Sequence, residues 1–102
     1  MAKRTVIWTL TASKQRREIF KYWIAKNGTK TYIKKLIVII KERLEHVAKS
    51  PELFKQSKFP DTRVCAMGHF SVFYKISNQQ IIVTAFWDNR QNPDELYKLI
   101  SK

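Results

Sequence analysis

The chain has 102 residues, of which 44% are hydrophobic and 13% aromatic. That is enough apolar area for one domain, residues 1–102; it leaves no room for a second and excludes disorder as the overall state. Twenty Lys and Arg against eight Asp and Glu give a net charge of +12, with the excess concentrated in the first half: residues 1–50 carry thirteen basic and three acidic side chains. A field of that sign attracts polyanions or a strongly acidic partner chain. The single cysteine, Cys65, excludes an internal disulfide and is expected as a buried thiol in a strand rather than a nucleophile or ligand. The apolar run Leu36–Ile40 is far too short to span a bilayer and nothing reads as a secretory signal, so no membrane partner is expected. The expected location is a reducing cytoplasm.

Arg4 to Leu10 (RTVIWTL) is a β-branched and aromatic run that reads as a first strand. Thr11 follows as a candidate N-cap. From Ala12 to Lys26 the apolar positions Ala12, Ile19, Phe20, Trp23 and Ile24 fall at helical spacing, with Lys14, Arg17, Glu18 and Lys21 opposite. Asn27-Gly28 ends that helix, because glycine accepts the left-handed conformation a helix terminus needs. Thr29 can cap a second helix from Lys30 to Lys49, whose stripe is Tyr32, Ile33, Leu36, Ile37, Ile40, Leu44 and Val47. Val38 and Ile39 widen that stripe beyond what one sheet face requires, which leaves part of the helix for a partner. Ser50-Pro51 stops it. Two helices joined by so short a link lie antiparallel, as a basic hairpin.

Pro51 to Asp61 is irregular, with two phenylalanines expected to dock on the core. Arg63–Met67 reads as the next strand, followed by Phe70–Ser77, in which Phe70, Val72, Tyr74 and Ile76 alternate with Ser71, Phe73, Lys75 and Ser77. Asn78-Gln79 closes a hairpin. Ile81–Trp87 is apolar on both faces except at Thr84, as expected of a strand covered on both sides. Asp88 to Pro93 leaves the sheet, and Pro93 to Ile100 reads as a short helix or strand. The expected fold is α+β, in the order β-α-α-β-β-β: an antiparallel three- to four-stranded sheet with the helical hairpin on one face.

Several chemistries lack the residues they require. His46, His69 and Cys65 show no metal-ligand spacing, there are only two glycines, and no nucleophile elbow is present. No cofactor is expected. What remains is a basic and aromatic set on the sheet: Arg63, His69, Tyr74, Lys75, Trp87, Arg90 and Tyr97. Cleaving RNA without a metal needs a group to activate the 2′-hydroxyl, a cation for the crowded phosphate and an acid for the leaving oxygen. The set permits that chemistry. It equally permits Tyr74 and Trp87 as core residues, with Arg63 and Arg90 as surface or strand-end residues.

The order of elements, Arg63 opening a strand, FSVFYKI followed by IIVTAFW, and the ending DNRQNPDEL together resemble the RelE/ParE superfamily of small toxins from bacterial type II toxin–antitoxin systems. The resemblance spans nearly the whole chain. It implies a compact α+β toxin neutralised by a cognate, acidic, partly disordered antitoxin, commonly as a dimeric toxin with two antitoxins in a heterotetramer. It also implies one of two mechanisms. ParE-like members inhibit DNA gyrase, whereas RelE-like members cleave mRNA in the ribosome with basic residues and a tyrosine or histidine on the sheet.

Carried over by position, Arg90 matches the superfamily's arginine after the last central strand, and Arg63 matches a basic residue common in ParE-like relatives. The arginine that ribonuclease members place in the third strand falls at Ser71, where this chain has none. Tyr97 lies one residue from the C-terminal tyrosine of some ribonuclease members. The resemblance therefore leans to a ParE-like toxin with no assigned catalytic residue, which would meet its target through Arg63, Lys75, Trp87 and Arg90 and its antitoxin through Lys34, Ile39 and Lys41. As a ribosome-dependent ribonuclease it would use Arg90, Arg63, His69 and Tyr97. A plain nucleic-acid-binding module is the third reading, carried by charge alone.

Overall fold

The structure, a computed structural model, describes residues 3–91. The expected element over 93–100 and Tyr97 lie outside them. Strand β1 (Thr5–Trp8) leads into helix α1 (Leu10–Asn27), which the Thr9 hydroxyl caps by accepting the Ala12 N–H at 3.1 Å. The cap therefore sits two residues before the expected Thr11, and Leu10 becomes the first helical residue, almost fully exposed. Gly28 ends α1 at φ 70, its N–H bonded to the Ile24 carbonyl at 2.9 Å. Helix α2 (Thr31–Lys49) begins without a side-chain cap, since the Thr29 hydroxyl accepts the N–H of Thr31 in the preceding turn instead. Pro51 stops α2 and opens a short 3-10 turn, Pro51–Leu53.

Strand β2 (Lys55–Gln56) is a two-residue element the sequence pattern does not signal; β3 (Arg63–Met67), β4 (Phe70–Ile76) and β5 (Gln80–Asp88) follow close to the expected bounds. The five strands form one sheet in the order β1-β5-β4-β3-β2. All pairs are antiparallel except β1 with β5, which is parallel. The α+β class holds, but the expected antiparallel sheet of three or four strands becomes a mixed sheet of five. The helical hairpin explains the parallel pair. The Arg4 N–H donates to the Ala48 carbonyl at 3.1 Å, so α2 returns the chain to the end of the sheet where β1 began. After the hairpin turns β3–β4 and β4–β5, strand β5 again runs in the direction of β1.

The alternation expected in β4 is realised: Phe70, Val72 and Tyr74 enter the core under the helices, and Phe73 packs on the opposite face. In β5 the register slips. Phe73 pairs with Ala85 and Tyr74 with Val83, so Thr84 is bulged out and its hydroxyl donates to the Phe73 carbonyl at 3.3 Å. One extra residue reverses the alternation. Ile81 and Val83 lie under the helices before the bulge and Phe86 after it, while Ala85 and Trp87 turn to the back, where Phe59 and Phe73 complete a second cluster. Phe54 and Phe59 dock on the two clusters respectively, as the irregular segment suggested.

Candidate functional site

The bulge also decides which way the chain leaves the sheet, and so where the strand-end arginine goes. Asp88, the last residue of β5, points to the helix side and is 6% exposed. Its carboxylate receives Arg90 three times: from Nε at 2.9 Å, from Nη2 at 2.9 Å, and from the backbone N–H at 3.0 Å. Burial pushes the Asp88 carboxyl up, but the Arg90 side chain, its backbone N–H, its charge and the Trp23 indole together hold it below the usual carboxylate range. The Asp88 hydrogen bond in turn raises Arg90. The guanidinium lies 4.3 Å from the Trp23 ring centroid and 5.7 Å from that of Phe70, and the side chain stays 43% exposed. Arg90 is thus fixed in direction, largely neutralised, and presented on one side to solvent.

That side opens on a groove of about 880 Å³ between α1 and the end of β5, with Ile19, Trp23 and Phe86 in its floor and Lys14, Lys26 and Arg90 at its rim. Lys26 lies 5.0 Å from the Trp23 ring centroid and 5.8 Å from that of Tyr22, which is itself exposed. Where β1 ends, Gln15 covers the uncovered stretch of β5: its Oε1 accepts the Phe86 N–H at 2.9 Å, and its Nε2 is buried without a hydrogen-bond partner. The groove can bind a partner carrying an acidic group and apolar surface. Its lining also carries two carboxylates, Asp88, which is paired with Arg90, and the exposed Glu18. The described residues contain no cluster of His, Cys, Asp and Glu able to hold a metal.

The other expected site residues scatter. His69 shares the Arg90 end: its carbonyl accepts the Asn89 N–H at 2.7 Å, while its side chain is exposed in the β3–β4 turn. Ser71, at the position of the ribonuclease arginine, donates to the Asn89 side-chain oxygen at 2.9 Å. Arg63 is at the far end of the sheet. It pairs across β3–β4 with Tyr74, four residues along β4 from Phe70, or about 13 Å. Its Nη1 donates to the carbonyls of Phe54 at 2.6 Å and Glu52 at 3.2 Å. Beside it the Tyr74 hydroxyl, fully buried, donates to the Pro51 carbonyl at 2.7 Å. Burial, chiefly, with the neighbouring Cys65, pushes Tyr74 up to about 12 against the opposing charge of Arg63. Burial likewise raises the Cys65 thiol. Lys75 is exposed near the same far end of β4, opposite Ile82 on β5. Trp87 is 8% exposed in the back cluster and has little surface to offer a target.

On α2, Lys34, Ile39 and Lys41 are all exposed, Ile39 by 43%. They do not share one flank: two residues of helix separate Ile39 from Lys41 by about 160° around the axis. Sequence reasoning missed Asp88, Gln15 and the place of Trp23 and Lys26 in the groove. Asp88-x-Arg90 at a strand end was the available signal for the first, whereas Trp23 reads as an ordinary member of the apolar stripe.

The ParE toxin family of type II toxin–antitoxin systems, parDE, matches residues 6–93. No curated protein matches the sequence. Among solved structures, the chain is similar to the chromosomal ParDE toxin–antitoxin system of Pseudomonas aeruginosa, at 16% identity and a TM-score of 0.71, covering 82% of this chain and 94% of that one. It is also similar to the toxin–antitoxin complex RelBE2 of Mycobacterium tuberculosis, at 13% identity and a TM-score of 0.59, covering 83% of this chain and 96% of that one. With the fold shared and the family matched over residues 6–93, the chain belongs to the ParE toxin family, within the RelE/ParE superfamily.

Proposed function

We propose that this chain arrests growth in the cytoplasm by binding DNA gyrase through the Arg90 groove, without catalysis, and that an acidic antitoxin neutralises it. The observation that carries this reading is the state of the two arginines expected at the site, Arg63 and Arg90. A phosphoryl-transfer site needs an unneutralised cation beside a proton acceptor. Here Arg90 is held by the Asp88 carboxylate and Arg63 is spent on backbone carbonyls at the other end of the sheet. Tyr74 is fully buried with its proton committed to Pro51. A fixed arginine at the edge of an aromatic groove is instead the kind of residue that anchors a protein partner. Lys34 and Lys41 on one exposed flank of α2, and Ile39 on another, then meet an antitoxin that wraps the helix, in complexes that include a heterotetramer of two toxins and two antitoxins.

Induction in a bacterium, read for both mRNA integrity and gyrase-dependent DNA breaks, tests this. Breaks and filamentation with intact mRNA are expected; cleaved, ribosome-protected mRNA would overturn the reading. The RelE-like alternative has one favourable observation, that His69 lies at the same end of the sheet as Arg90, its carbonyl bonded to the Asn89 N–H. It requires Arg90→Ala to abolish translation-dependent mRNA cleavage.

A further inference from the structure

The two helices carry their charges in different ways. In the second half of α2, Lys41, Glu42, Arg43, Glu45 and Lys49 mix the two signs, as an ordinary solvated surface does. From residue 14 to residue 35 the chain instead carries eight basic side chains and a single acid, Glu18. Arg16 is drawn inward, its guanidinium 4.1 Å from the Trp8 ring centroid, while the other seven are exposed.

Three of the seven form a ridge. Lys14, Arg17 and Lys21 fall within about 60° of one another around α1 and span about 10 Å of its length, on the side opposite the buried Ala12 and Ile19. Arg17 is three residues from Lys14 and four from Lys21, spacings at which like charges repel and weaken a helix. Among the described residues the one ion pair joins Arg90 to Asp88, so no carboxylate of theirs holds any of the three. Apart from Leu10 in the first turn, the ridge has no exposed large apolar side chain, since Tyr22 is turned to the groove. Protein-binding surfaces are poor in lysine and rely on buried apolar or aromatic anchors. A phosphate backbone takes unpaired Lys and Arg without them.

We infer that the outer ridge of α1 binds the phosphate backbone of duplex DNA through Lys14, Arg17 and Lys21. The ridge meets the Arg90 groove at Lys14, which stands on the rim of both. A gyrase held in that groove brings its own DNA, so the two contacts are made together. The choice of DNA as the polyanion rests on the gyrase reading. Contacts of this kind fix position on a duplex and carry no sequence information.

The test titrates a fluorescently labelled duplex of about thirty base pairs with the full chain at several salt concentrations, read by anisotropy. Three phosphate contacts give a slope of log affinity on log salt of about −3, or about fortyfold weaker binding at about 200 mM than at about 50 mM salt. Arg17→Gln with Lys21→Gln, both exposed, should weaken binding about tenfold and reduce the slope by about 2, with no fall in melting temperature. Lys21→Gln alone, at about threefold, gives the answer if the double variant does not fold. Lys55→Gln with Lys58→Gln removes the same charge beside β2 and should change affinity less than about twofold. Equal losses in the two double variants would overturn the proposal, because net charge alone would then be at work. Polyglutamate or single-stranded RNA bound as tightly as the duplex would overturn it too, since the ridge would then serve an acidic protein or RNA. Gyrase inhibition is read separately: duplex binding without inhibition sinks the gyrase reading alone, while inhibition by the wild type without duplex binding sinks this inference alone.

Discussion

Two arginines stand at opposite ends of the sheet, and they do different work. Arg63 reaches back under the turn that follows α2 and donates to the carbonyls of Glu52 and Phe54, next to the Tyr74–Pro51 bond. It is a fastener, satisfying main-chain acceptors that the turn leaves open. Arg90 is fastened itself. Asp88 holds it in a two-pronged grip, Trp23 lies under its guanidinium, and nearly half of the side chain faces a groove. The residue type is the same at both ends, and the role is set by whether a backbone or a carboxylate takes the donors.

The sharpest way to break the comparison is to change each arginine and read both stability and activity. Arg90→Lys keeps a cation near Asp88 but loses the planar fork and the stacking on Trp23, and should weaken target binding about thirtyfold or more while costing less than about 1 kcal/mol of stability. Inhibition of purified gyrase together with urea unfolding checks both numbers. Arg63→Ala should do the reverse, costing about 2–3 kcal/mol because two carbonyls lose a charged donor, with inhibition per folded molecule unchanged. Equal loss of inhibition in the two variants would erase the distinction.

Smaller effects sharpen it. Tyr74→Phe leaves the Pro51 carbonyl without its donor and should cost about 1–2 kcal/mol by urea titration. The same phenol gives the far end an alkaline limb. Its pKa in the fold, about 12, lies above an ordinary tyrosine's value of about 10. Its contribution is therefore complete below about pH 10 and lost as the pH rises through 12. Tyr74→Phe should flatten that limb. Asp88 gives the Arg90 end an acid limb of opposite sense. Its carboxyl is held low in the fold, so its contribution is present above the ordinary aspartate value of about 3.9 and fades as the pH drops below it. Asp88→Asn should flatten the acid limb and leave the alkaline one unchanged, in melting temperatures recorded from acid to alkaline pH.

Much of this architecture was legible because local signals agreed with the global fold. Gly28 and Pro51 bound the helices where they should, and the alternation from Phe70 to Tyr74 survives in the packing. The apolar character of Ile81–Trp87 on both faces matches a strand with a core cluster on each side. What escaped depends on partners distant in sequence. Nothing within RTVIWTL says that it will lie parallel to a strand more than seventy residues away. The Thr84 bulge is one residue in a run of apolar ones, yet it turns Trp87 to the back and Asp88 to the helices. Arg90 was legible as a site candidate from its place after the last strand, but the carboxylate that restrains it and the indole beneath it were not. Arg63 looked alike in the sequence because a main-chain acceptor leaves no mark in composition.

The central claim, that the Arg90 groove binds rather than cleaves, meets its most direct test in a DNA-cleavage assay with purified gyrase and this chain, run beside its Arg90→Lys and Arg63→Ala variants at matched folded concentration. The account predicts that the wild type and Arg63→Ala stabilise gyrase–DNA breaks alike and that Arg90→Lys does so only at about thirtyfold higher concentration. No breaks with the wild type, or breaks undiminished by Arg90→Lys, would contradict it.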